Sequence, residues 1–129
     1  MITKPMITKP MITMPMIAKP MTTNMITTLV QFRLPEPLTL AEATQRFESS
    51  APKYQGVQGL IRKYYIRSED GRTAGGIYLW ANRQAAERAF DGEWRARVTQ
   101  LYGTEPAVTW FDTPVVVDNA AGGTITKAA

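Results

Sequence analysis

The residues best equipped for chemistry in this chain are aromatic and cationic. Phe32, Tyr64, Tyr78, Trp80, Trp94 and Trp110 are candidates to wall a cavity for a flat ligand, and Arg62, Lys63 and Arg95 to stabilise an anion held in it. Ring faces bury large apolar areas, and a guanidinium or ammonium group nearby favours the deprotonated form of a bound acid. Each candidate also has a plainer role. Rings on strands dominate the core of a small domain, Trp94 lies on a helical packing stripe, and Arg95 beside it is suited to solvent or to an acidic partner. Tyr64 and Tyr65 are neighbours in a strand and point to opposite faces, so only one of them can line a given cavity. Asp112 has apolar neighbours, where burial would suit a general base. A charge that keeps an edge strand from aggregating is the preferred reading.

What is missing narrows the chemistry further. The chain has no histidine and no cysteine. That excludes Ser-His-Asp and Cys-His arrangements, thiolate or imidazole metal sites and a proximal haem histidine, and it leaves acid–base work to Asp, Glu, Lys, Arg or Tyr. No metal site and no catalytic residue can be assigned from spacing alone.

The net charge of +4 invites a search for nucleic-acid binding, but the charge must first be located. Lys4, Lys9, Lys19 and Lys127 lie in the flanking segments, leaving eleven basic against eleven acidic residues between 25 and 118. The central part is neutral, and no nucleic-acid partner is expected. No apolar run reaches the roughly 18 residues of a membrane span, and prolines recur where a signal peptide needs an unbroken apolar stretch. A soluble, cytoplasmic protein without a membrane partner is expected.

The elements that must position these residues begin after a repeat. Residues 1–24 run MITKP, MITKP, MITMP, MIAKP and MTTN, with Pro5, Pro10, Pro15 and Pro20 opposing both helix and central strand. An extended arm is expected, and the repeated unit points to an expanded DNA repeat with Met21 and Met25 as alternative starts. Ile26 to Leu34 is rich in β-branched and aromatic residues and reads as a strand. Thr39 with Glu42 is a capping-box pattern for a helix over about 39–51, ended by Pro52. Leu60 to Arg67 and Ala74 to Ala81 form a hairpin closed by Glu69-Asp70-Gly71. Asn82 caps a second helix, Asp91-Gly92 interrupts it, and Val108 to Val117 is a last strand broken at Pro114.

The order strand, helix, strand, strand, helix, strand is the split βαβ pattern, so the fold class is α+β, ferredoxin-like βαββαβ, over residues 25–118, with 119–129 as a tail. Bulky residues occupy both faces of the strands: in the first, Ile26, Val30, Phe32 and Leu34 lie on one face and Leu29 on the other, and in the third, Ile77 and Leu79 alternate with Tyr78 and Trp80. Helices cover one face. The simplest cover for the second is another copy of the same sheet, which predicts a homodimer.

Three ordered blocks carry a resemblance: Gly75-Gly76-Ile77-Tyr78-Leu79-Trp80; Glu93-Trp94-Arg95-Ala96-Arg97-Val98 followed by Tyr102-Gly103; and Phe111 to Asn119. Together they resemble the YdhR-type mono-oxygenases over about residues 25–119. The resemblance implies a dimeric α/β barrel with a ligand cavity between sheet and helices. It implies no catalytic residue position by position.

Oxygenation needs no cofactor when the substrate supplies the electrons: an electron-rich phenol is deprotonated and its anion reduces dioxygen. The protein then has to bury the ring, stabilise the anion and exclude water. The expectation is a cofactor-independent mono-oxygenase acting with dioxygen on a small aromatic or polyketide-like compound. Its site would draw on Phe32, Arg62, Tyr64, Tyr78, Trp80, Trp94 and Arg95. Gly75-Gly76, which allow close approach, mark the cavity beside Tyr78 and Trp80. A non-catalytic small-molecule-binding or stress-related dimer, or an isomerase or lyase on the same barrel, are the alternatives.

Overall fold

The computed structural model describes residues 24–127, so the repeat arm expected over 1–24 lies outside the described residues apart from Asn24. Strand β1 (Ile26–Arg33) is followed by helix α1 (Leu40–Ser50), then β2 (Leu60–Arg67), β3 (Thr73–Trp80), α2 (Arg83–Ala89), α3 (Gly92–Tyr102) and β4 (Ala107–Asp112). Two short strands, β5 (Val115–Asp118) and β6 (Thr124–Lys127), close the chain.

Local chemistry sets the helix ends. The Thr39 hydroxyl accepts from the Glu42 amide at 3.1 Å while the Glu42 carboxylate accepts from the Thr39 amide at 2.9 Å, which is the expected capping box. The Asn82 side chain accepts from the Ala85 amide, and Asp91 accepts from Trp94, so the Asp91-Gly92 break separates two capped helices. Helix α1 does not simply stop at Pro52. It tightens into a 3-10 turn, Ala51–Tyr54, which proline tolerates near its start because no donor is required there.

The main sheet has the order β2-β3-β1-β4, all neighbours antiparallel, as a ferredoxin-like fold requires. Ile26, Thr28, Val30 and Phe32 of β1 and Ala74, Tyr78 and Trp80 of β3 are buried together with Ala43, Ala85, Ala86 and Trp94 of the helices. Trp80 is fully buried, and its indole N–H donates to the Thr28 hydroxyl at 2.9 Å, which lets both polar groups sit in the core.

The end of the chain differs from the expectation. The run from Val108 to Val117 does not stay in one sheet: Pro114 cannot supply a ladder N–H, and the chain leaves the main sheet there. β5 then pairs with β6, placing a second two-stranded sheet inside the segment read as a tail. Arg62 of β2 holds Asp118 at 2.6 Å, tying the end of β5 to the far side of the main sheet.

Candidate functional site

A cavity of about 320 Å³ is lined by the helix-covered face of the sheet together with α1, the 3-10 turn and α3. That volume suits a small organic ligand. Its walls include Phe32 of β1, Phe47 of α1, Tyr54, Tyr65 of β2, Tyr78 of β3, and Trp94 and Tyr102 of α3. Rings meet rings around it: Phe32 and Tyr102 lie 4.3 Å apart between centroids, and Phe47 stacks on Tyr65 at 4.8 Å.

Lys63 enters this aromatic wall from β2. Its Nζ lies 3.4 Å from the Tyr54 ring centroid, 3.8 Å from that of Tyr65 and 4.8 Å from that of Tyr78. Burial, with like-charge repulsion from Arg97 adding to it, pushes the Lys63 ammonium down to about 7. The tyrosines move the other way, burial holding the Tyr78 and Tyr65 phenols above their ordinary range. A half-buried amine that is neutral for much of the population near neutrality can take a proton, and once charged it can stabilise an anion.

Of the residues expected to form the site, Phe32, Tyr78 and Trp94 line this cavity, as does Lys63. Trp80 lies behind the wall, stacked on Tyr78 at 5.6 Å. Tyr64 is 53% exposed and, with Arg62, faces the opposite side of the sheet beside Ile77, Leu79 and β5. The cause is a bulge in β2. Leu60 pairs with Trp80, but the register shifts so that Arg62 pairs with Leu79 and Lys63 with Tyr78. The extra residue inverts the alternation and brings Lys63 and Tyr65 inward in place of Arg62 and Tyr64. Arg95 lies outside the cavity as well, donating to the Pro106 carbonyl at 2.9 Å with Glu105 3.8 Å away. Trp110 carries Arg83 over its ring, and Asp112 is exposed at the end of edge strand β4.

Sequence reasoning missed Tyr54, Arg46 and Arg97. Tyr54 gave no signal because the turn that carries it follows a proline expected to end the helix. Arg97 could have been found from its place one helical turn after Trp94.

The two glycines before the rings have separate duties. A Cβ on Gly75 would run into the Val30 backbone, whereas one on Gly76 would enter the cavity wall, 3.0 Å from Tyr78 and 3.3 Å from Lys63. Among the described residues there is no cluster of His, Cys, Asp or Glu that could hold a metal ion, and no helix long and apolar enough to cross a membrane.

An antiparallel sheet of order β2-β3-β1-β4, with helices and a ring-lined cavity on one face, defines a ferredoxin-like α+β domain. The sequence profile of the family described as "Putative mono-oxygenase ydhR" matches residues 28–117, and the chain belongs to that family. Solved structures agree on the fold. A monooxygenase of Streptomyces coelicolor in complex with nanaomycin D is similar at 17% identity and a TM-score of 0.57, over 74% of this chain and 92% of that one. A cofactor-independent oxygenase from Streptomyces nogalater is similar at 19% identity and a TM-score of 0.53, over 70% of this chain and 93% of its own. An antibiotic biosynthesis monooxygenase from Caulobacter crescentus, described as putative, shows 19% identity, a TM-score of 0.53 and coverage of 71% and 92%. A search of curated proteins gives no match.

Proposed function

We propose that the domain is a cofactor-independent mono-oxygenase that oxidises a small aromatic or polyketide-like phenol in the cavity between sheet and helices. The observation that carries this reading is the Lys63 amine held among the rings of Tyr54, Tyr65 and Tyr78. Membership of a mono-oxygenase family and the likeness in fold to a cofactor-independent oxygenase support it.

The substrate ring lies against Phe32, Tyr78 and Trp94. Lys63 accepts the phenolic proton, and the resulting ammonium faces the phenolate. The phenolate gives one electron to dioxygen. The phenoxyl radical and superoxide combine at an unsubstituted ring carbon, and loss of water from the peroxide leaves a quinone. Lys63 returns its proton to the peroxide, one oxygen atom enters the product and the other leaves as water, and the four electrons that reduce dioxygen all come from the substrate. The aromatic walls keep bulk water from the intermediate.

The working form in this reading is a homodimer joined through the open face of the sheet. Its support is the apolar character of that side, where Ile77 and Leu79 share a groove with Val115, Val116 and Val117 of β5, and where Val117 and its β6 partner Ile125 remain exposed.

The test is oxygen uptake by the full chain with a dihydroxynaphthalene, set against an anaerobic control, with labelled dioxygen used to trace the product oxygen. Incorporation of one labelled atom is expected. Saturable quenching of tryptophan fluorescence with no oxygen uptake across a panel of phenols would favour a binding protein, and turnover in the anaerobic control an isomerase or lyase.

A further inference from the structure

The charged residues lining the cavity are all of one sign. Arg46, Lys53, Lys63 and Arg97 contribute to its walls, and no Asp or Glu does. None of these cations forms an ion pair among the described residues, and Arg46 instead donates to the Leu101 carbonyl at 3.4 Å and lies over the Tyr102 ring. Arg46 and Lys53 are exposed while Lys63 and Arg97 are half-buried, so positive charge runs from solvent into the cavity.

A neutral domain has no general need to gather its cations around one apolar hole. Unpaired cations crowded together repel one another and lose hydration, as the depressed Lys63 records through burial and Arg97. The Trp94 side chain, 3% exposed, adds an apolar wall beside these cations.

We propose that the cavity selects aromatic substrates that carry a permanent anion, of the class of phenols bearing a carboxylate on a fused or linked ring, with the carboxylate seated between Arg46 and Arg97. The phenolic end then lies toward Lys63. The preference comes from charge focused in a low-dielectric recess, where an anion is stabilised more than at the open surface. It rests on the reading of this cavity as the substrate site.

The experiment compares 2-naphthoate with its uncharged amide, 2-naphthamide, by titration calorimetry with the full chain at low and moderate salt. Naphthoate is expected to bind about tenfold or more tightly at low salt, equivalent to about 1.4 kcal/mol, and to keep part of that advantage at moderate salt because charges in a recess are screened less than charges at the open surface. Arg97→Gln is expected to remove most of the preference while naphthamide affinity stays within about twofold, and Arg46→Gln on the exposed helix face gives the same readout should Arg97→Gln fail to fold. Equal affinities for the two ligands, or no saturation by naphthoate at millimolar concentration, would overturn the proposal. The measurement involves no turnover. Anion preference without oxygen uptake would therefore sink the oxygenase reading alone, and oxygen uptake without anion preference would sink this inference alone.

Discussion

The Lys63 side-chain nitrogen sits 3.4 Å from the centre of the Tyr54 ring. The two residues come together from β2 and from the 3-10 turn that extends α1, and their contact closes one side of the cavity. Ring faces attract an ammonium ion, while burial and Arg97 oppose the charge, so the amine is poised between its two forms near neutrality.

Stability should therefore rise with pH between about 7 and 10. The folded-state value of Lys63 is lowered to about 7 from 10.5, so in that window the unfolded chain binds the proton that the folded chain has released. Above the ordinary tyrosine range the trend reverses, because Tyr78 is held protonated in the folded state while the unfolded chain ionises. Urea unfolding across pH reads both limbs. Lys63→Met should flatten the rise and leave the protein more stable than the parent at pH 6.

The same substitution should abolish chemistry before it affects binding. Loss of a general base lowers turnover by roughly 10² to 10⁴, and oxygen uptake by Lys63→Met should fall by that order while naphthamide affinity stays near the parent's. Unchanged uptake would remove Lys63 from the mechanism.

Adjacent glycines should respond differently to a methyl group. Gly75→Ala drives Cβ into the Val30 backbone, which cannot yield without shifting β1, so a loss of about 3 kcal/mol or failure to fold is expected. Gly76→Ala meets the Tyr78 ring at 3.0 Å and both the Lys63 side chain and the Tyr64 carbonyl at 3.3 Å, so a smaller loss of stability than at Gly75 is expected, together with weaker ligand binding. Thermal melts and calorimetry on the pair separate the two effects.

Thr28→Val keeps the shape of the core but strands the Trp80 indole N–H, which now has a 2.9 Å partner. The expected cost is about 1–3 kcal/mol in urea unfolding, with little change in ligand affinity because Trp80 lies behind the cavity wall.

The exposed Val117 and Ile125 offer a direct probe of assembly. Light scattering on the parent at micromolar concentration should give twice the chain mass. Val117→Glu with Ile125→Glu should reduce it to one chain by placing charges in the proposed apolar interface. A monomeric parent would remove the dimer from the proposal.

Much of the fold was legible in the sequence because it is written in local chemistry. Thr39 with Glu42 and Asn82 cap their helices through contacts within three residues, and alternation already separates Val30 and Phe32 from Leu29 in β1 and Tyr78 and Trp80 from Ile77 and Leu79 in β3. The absence of histidine and cysteine likewise restricts the chemistry through composition alone.

Which residues meet in the cavity was decided by the tertiary structure, and β2 gives the reason. Strict alternation from Leu60 would send Arg62 and Tyr64 inward, but the register shift after Leu60 sends Lys63 and Tyr65 there instead. No residue in Leu60-Ile61-Arg62 announces that shift, since a bulge depends on how β2 must pair with β3 rather than on its own side chains. Tyr54, Arg46 and Arg97 reach the same cavity from different helices and turns. Only packing α1 and α3 onto the sheet brings them within range of Lys63, because the sequence sets what each element presents and the assembled layers set what it faces.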